Sequence, residues 1–142
     1  MKKTKAKFFQ PTTKIHYGLR LIARIASANQ VKKKPISLGV VAKNEKLSRK
    51  YLEELAGLLK KAKLISSVRG KQGGYILSQP ANKINLKQII VALDGPINPV
   101  ICLAGNNLCS LEKGCLTKPA WQMIERSLIN TLEKIDLEDL II

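Results

Sequence analysis

Histidine occurs once in this chain of 142 residues, as His16, and the 10 acidic residues are outnumbered by 25 lysines and arginines. One histidine leaves general acid–base chemistry with few players. The chain has no Ser–His–acid set, no HExxH motif and no GxxxxGK loop followed by Ser or Thr. An enzyme is therefore not expected, nor a small-molecule substrate. Aromatic residues make up only 4%, too few for the stacking surfaces that read unpaired RNA bases. No apolar run approaches the ~20 residues of a membrane span. Arg20 and Arg24 also interrupt the stretch where a secretory leader needs an apolar core. The chain is expected in the cytoplasm, where thiols stay reduced.

What is abundant is positive charge, and it is one-sided. Residues 1–75 hold 19 Lys and Arg against three acids (Glu45, Glu53 and Glu54), a net +16. Residues 76–142 hold 6 against 7, a net −1, so the total of +15 comes from the first half. Such a field attracts polyanions and releases their counterions on contact. The basic residues are spread over several segments rather than along one amphipathic face, which favours nucleic acid over a membrane surface. At 45% hydrophobic residues, with no repeat or low-complexity stretch, the chain reads as one globular domain behind a basic tail at residues 1–12.

Ile15, Leu19, Ile22, Ala23 and Ala26 recur at helical spacing and predict an amphipathic helix over residues 13–28. The segment NQVKKKP then reads as a loop closed by Pro35. Ser37 suits the N-cap of a short helix to Lys43, with Leu38, Val41 and Ala42 facing inward, and NEKL makes a turn. Ser48 caps a longer helix to about Lys61. Its apolar stripe is Leu52, Leu55, Leu58 and Leu59, while Arg49, Lys50, Lys60 and Lys61 stay polar. Two helices joined by a tight turn, the second beginning with basic residues, form a helix-turn-helix pattern.

Residues 64–68 and 75–77 read as strands around RGKQGG, which makes a hairpin. A hairpin directly after such a helix is a wing. Arg69 and Lys71 at its tip are placed to reach phosphates or a narrow minor groove. A solvated basic hairpin is the plainer alternative. Residues 86–93 suggest a further short helix. Pro119 then opens a long helix in which Trp121, Ile124, Leu128, Leu132 and Ile135 recur at three- and four-residue steps. So apolar a helix packs internally or against a second copy. A dimer suits a helix-turn-helix that reads two half-sites.

Between the last two helices lies CLAGNNLCSLEKGC, which holds Cys102, Cys109 and Cys115, the only cysteines. Pro96 and Pro99 precede it, and Gly105, Asn106, Asn107 and Gly114 loosen it. An odd count opposes a closed set of disulfides. The spacing Cys102-x6-Cys109-x5-Cys115 is not the paired CxxC of a zinc ribbon. Thiolates are soft ligands, and a flexible loop can wrap three of them around one inorganic centre. A thiol redox sensor and unrelated free cysteines fit the same residues.

From about Thr13 to the C-terminus the chain resembles the Rrf-two family of bacterial winged-helix regulators, in its iron–sulfur branch. The resemblance is carried by TKIHYGLRLI in the first helix and by LSRKYLEELAGLLKKAKLISSVRGKQGGYIL through the second helix and wing. The cysteine triplet ahead of CLT and the terminal helix completes it. It implies a mainly α fold with a small β-hairpin wing. Residues 13–93 would be the winged helix-turn-helix, 94–118 the cysteine loop, and 119–142 a dimerisation helix with a C-terminal segment. Ser48, Lys50, Tyr51 and Glu53, with Arg49 among them, match the DNA-facing part of the recognition helix. Arg69 matches the wing arginine, with Lys71 beside it. The implied function is a repressor of transcription that binds a double-stranded operator as a homodimer.

The same resemblance implies that Cys102, Cys109 and Cys115 hold an iron–sulfur cluster, 2Fe–2S ahead of 4Fe–4S. Its signal would be redox state, nitric oxide or iron–sulfur status. One extra residue between the first two cysteines departs from the usual spacing. The fourth ligand departs further. One branch uses a histidine where this chain has Lys118, whose ammonium is a poor iron ligand. Other branches borrow a side chain from the partner's first helix, at the position of His16 here. An exposed histidine near DNA phosphate is the alternative role for His16. Asp94, Glu112, solvent or a small thiol compete as ligands. A cluster-free, thiol-sensing regulator of the same family is the alternative function.

Overall fold

A computed structural model describes residues 11–32, 34–105, 109–111 and 113–141. Most of the basic tail, together with Asn106, Asn107 and Glu112, therefore lies outside the described residues. The described residues form helices α1 (Thr13–Lys32), α2 (Leu38–Glu45), α3 (Arg49–Lys61), α4 (Leu86–Asp94) and α5 (Lys118–Lys134). One antiparallel hairpin joins β1 (Ile65–Val68) to β2 (Gly74–Leu77), in a register that pairs Ile65 with Leu77 and Val68 with Gly74. Short 3-10 turns cover Ala81–Lys83, Ile101–Ala104 and Leu137–Leu140.

The main core lies between α1, α3 and α4. α3 supplies Leu52, Leu55, Ala56 and Leu59, each 0% exposed. α1 answers with Leu21, Ile22, Ile25 and Ala26, and α4 with Ile89 and Leu93. Close approach of α1 to α4 depends on Gly18, where an added Cβ would lie 2.3 Å from Leu93 Cδ1. A glycine inside a helix costs about 0.5–1 kcal/mol relative to alanine, which this contact offsets. A second, smaller cluster joins Ile15, Ile90 and Leu132.

Three elements depart from the sequence expectation. α1 runs on to Lys32 rather than stopping at 28, because Asn29 is not a loop residue: its side chain bonds two other segments and anchors the last turns. α2 reaches Glu45, so Asn44 and Glu45 are helix, and Lys46 (φ 54) makes the turn in left-handed conformation. The stripe on α5 is only partly buried. Leu132 is in the core and Trp121 and Leu128 are half-buried, whereas Ile124 is 42% exposed. Ile135 lies past the helix end, and its carbonyl accepts from Leu86 N at 2.9 Å. From there the chain turns back, so Leu137 joins the main core and its N donates to Ile84 O at 2.7 Å.

α2 is tied to α1 by charge. The Glu45 side chain is 5% exposed and accepts from both Arg20 and Arg24, with Arg20 Nη2 2.5 Å from Glu45 Oε2. Arg20 also stacks its guanidinium over the Tyr17 ring at 5.4 Å. Burial alone would raise the Glu45 carboxyl; the guanidinium groups of Arg24 and Arg20 outweigh it and hold the group below its ordinary value of 4.5. The folded value being the lower one, this contribution to stability is present above about pH 4.5 and is lost as pH falls through the folded value. Replacing both arginines by alanine strands a buried carboxylate and should cost about 3–5 kcal/mol at pH 7. That penalty should shrink on acidification, as the carboxyl takes up a proton. Glu45→Gln should cost less, because Arg20 and Arg24, 40% and 50% exposed, can turn to water. Urea unfolding at pH 7 and pH 4 checks both the order of the variants and the sign.

Candidate nucleic-acid interface and cysteine loop

α3 begins at an N-cap that the sequence specifies locally: Ser48 Oγ accepts from Tyr51 N at 3.2 Å. Burial of the leucine face turns the first residues of the helix outward, so Ser48, Arg49, Lys50 and Glu53 are all exposed. Arg49 and Glu53 form an i, i+4 ion pair at 3.3 Å, with both side chains more than half exposed. Such a pair contributes little and opens readily for another partner. Tyr51 stands apart from the other four residues. It is half-buried, and its ring meets Tyr17 of α1 edge-on at 6.1 Å between centroids. Burial, then the charges of Glu54 and Tyr17, push its phenol up, so it remains a hydrogen-bond donor.

The hairpin follows α3 after a two-residue turn and one buried anchor, Leu64, whose N donates to Leu59 O at 3.1 Å. Lys60 Nζ reaches Ser67 Oγ at 2.9 Å and fastens the helix end to β1. Arg69 and Lys71 are exposed at the hairpin tip. The turn-proximal part of β2 touches the α1–α2 linker through a bridge between Ile36 and Tyr75. Asn29 reinforces it, a role not assigned from sequence, although Asn29 continues the stripe Ile15, Leu19, Ile22, Ala26 at the next three-residue step. A polar residue on an apolar stripe was the available signal.

All three cysteines are free thiols and partly buried. Cys102 lies in the turn Ile101–Ala104, and Cys115 lies just before α5. Cys115 Sγ is 3.3 Å from Thr117 Oγ1. That hydroxyl, followed by the backbone N–H groups of Thr117 and Lys118, holds the thiol below its ordinary value of 9.0. His16 is exposed in the first turn of α1, with its ring 5.1 Å from Tyr17. Among the described residues no three His, Cys, Asp or Glu side chains form a group that could hold a metal ion. The donor set nonetheless fits iron–sulfur chemistry, with three unpaired soft ligands in one loop. Lys118 opens α5.

A helix-turn-helix with a capped, outward-facing basic helix and a basic hairpin directly after it defines a winged-helix DNA-binding protein. The chain belongs to the Rrf2 family, described as iron-dependent transcriptional regulators, and matches it over residues 11–142. It is 33% identical over 129 residues to the protein rrf2 of Nitratidesulfovibrio vulgaris, covering 91% of this chain and 85% of that one. Among solved structures it is similar to CymR, the global cysteine regulator of B. subtilis, with a TM-score of 0.78 and 32% identity over 93% of this chain and 95% of that chain. It is also similar to T. potens IscR, with a TM-score of 0.74 and 32% identity over 93% and 85% of the two chains. Among the described residues no helix is long and apolar enough to cross a membrane.

Proposed function

We propose that this transcriptional regulator is a repressor that binds a pseudo-palindromic operator as a homodimer, under control of an iron–sulfur cluster in the cysteine loop. The observation that carries the DNA reading is the division of α3 into two faces. Leu52, Leu55 and Leu59 are fully buried, while Ser48, Arg49, Lys50 and Glu53 face out next to a wing whose tip is Arg69 and Lys71. α3 then lies in the major groove and the wing in the adjacent minor groove. The partly uncovered apolar face of α5, with Ile124 outermost, supports a second copy as partner. Arg69→Ala should weaken operator binding by about 1–3 kcal/mol, with the loss concentrated at the minor-groove part of the site. Lys50→Ala should relax base discrimination, or lower the salt slope by about one if it meets a phosphate. Titration at fixed salt and across a salt series checks both; unchanged affinity in the two variants removes the assignment.

Cys102, Cys109 and Cys115 would hold the cluster, and the bound cluster supplies a redox-sensitive iron centre. The family description as iron-dependent supports this reading. His16 of one subunit is assigned as the fourth ligand of the other, since it is exposed at the end of α1 and therefore open to a partner. Protein prepared without oxygen should be brown, and cysteine-to-alanine variants at the three positions should lose the colour. His16→Ala should shift the visible spectrum and shorten the cluster's life in air. Loaded and cluster-free protein should differ about 5–150-fold in operator affinity. Equal affinity contradicts the switch, and an unchanged His16→Ala spectrum removes the histidine as ligand. A cluster-free thiol sensor is the second reading, favoured by the Thr117 hydroxyl that promotes the Cys115 thiolate.

A further inference from the structure

Asn29 joins two segments that no sequence pattern links. Its Oδ1 accepts from Leu77 N in β2 at 2.8 Å, and its Nδ2 donates to Lys34 O in the α1–α2 linker at 2.9 Å. The two partners fix the orientation of the amide, because a backbone N–H can only donate and a carbonyl can only accept. Aspartate would set a carboxylate oxygen against the Lys34 carbonyl, and alanine would satisfy neither group.

The linker carries the restraint onward. Ile36 N donates to Tyr75 O at 3.1 Å and Tyr75 N to Ile36 O at 2.8 Å, so the linker pairs with β2 like a third strand. Contact at this point is tight enough to require Gly74, where a Cβ would lie 2.2 Å from Ile36 O. The hairpin is therefore held on its β2 side at two points, at its base by α1 through Asn29 and next to the turn by the linker that Asn29 also holds, while Lys60 and Leu64 tie β1 to α3. Beyond the last pair, Val68 with Gly74, only the short turn carrying Arg69 and Lys71 remains.

We propose that Asn29 is a positioning residue for the wing, setting the angle at which Arg69 and Lys71 leave the domain and hence the strength of the wing contact with DNA. Asn29 itself touches no DNA in this arrangement. The inference rests on the reading that Arg69 contacts the operator. Its consequence is that Asn29 and Arg69 act as one unit, whereas Asn29 and Lys50 act separately.

The test combines amide hydrogen exchange with operator titration on full-length protein. In Asn29→Ala the Leu77 amide should exchange faster than in the unaltered protein; in Asn29→Asp, which keeps that acceptor, it should stay protected. Asn29→Ala should weaken operator binding about tenfold alone and in a Lys50→Ala background, but less than about twofold in an Arg69→Ala background. Should Asn29→Ala not fold, Asn29→Asp carries the test, with a smaller loss and the same dependence on Arg69. An undiminished loss in the Arg69→Ala background, or no loss in folded protein, overturns the proposal and leaves the wing reading intact. An Arg69→Ala variant that binds as well as the unaltered protein overturns the wing reading, and the proposal with it.

Discussion

Burial of one face of α3 is the constraint on which the rest depends. Leu52, Leu55, Ala56 and Leu59 are fully enclosed, and burying a leucine side chain stabilises by about 1.5–3 kcal/mol relative to leaving it exposed. The exposed Arg49–Glu53 pair contributes at most about 1 kcal/mol. The apolar face therefore decides the rotation of the helix, and the basic face follows from it. A rotation of one residue would expose leucine and hide part of the exposed set Ser48, Arg49, Lys50 and Glu53.

α1 turns that local constraint into a rigid frame. Near its start Gly18 lets α4 come close, in its middle Arg20 and Arg24 hold Glu45 at the end of α2, and towards its end Asn29 holds the base of the wing. The first turn of the same helix carries His16, next to Ile15 of the second core cluster that α4 and α5 complete. A displacement at the α1 start therefore has a packed path to both α3 and the hairpin. α5 extends this path, since α5 and α4 pack on each other and α4 packs on α1.

Much of this was legible in the sequence because it is local. Ser37 and Ser48 announced their helices, the leucine stripe of α3 gave its buried face, and RGKQGG marked the hairpin turn. What stayed illegible depends on distant partners. Glu45 looked like a turn residue until two arginines from α1 surrounded it, and Asn29 looked like the start of a loop until Leu77 and Lys34 claimed its amide. Leu137, near the end of the chain, gave no sign that it belonged to the main core. The cysteines are a mixed case. Their number and spacing are plain in the sequence, whereas among the described residues they do not come together with other donors into one group, and spacing does not encode convergence.

The most direct measurement is a footprint on a duplex selected by the protein from a random pool. Methylation protection reports the major groove and hydroxyl-radical cleavage the minor groove. The account predicts two symmetric half-sites, each with protected guanines in the major groove and a flanking stretch of protected minor groove, the latter lost in Arg69→Ala. Protection confined to one half-site, or minor-groove protection that survives Arg69→Ala, would contradict it.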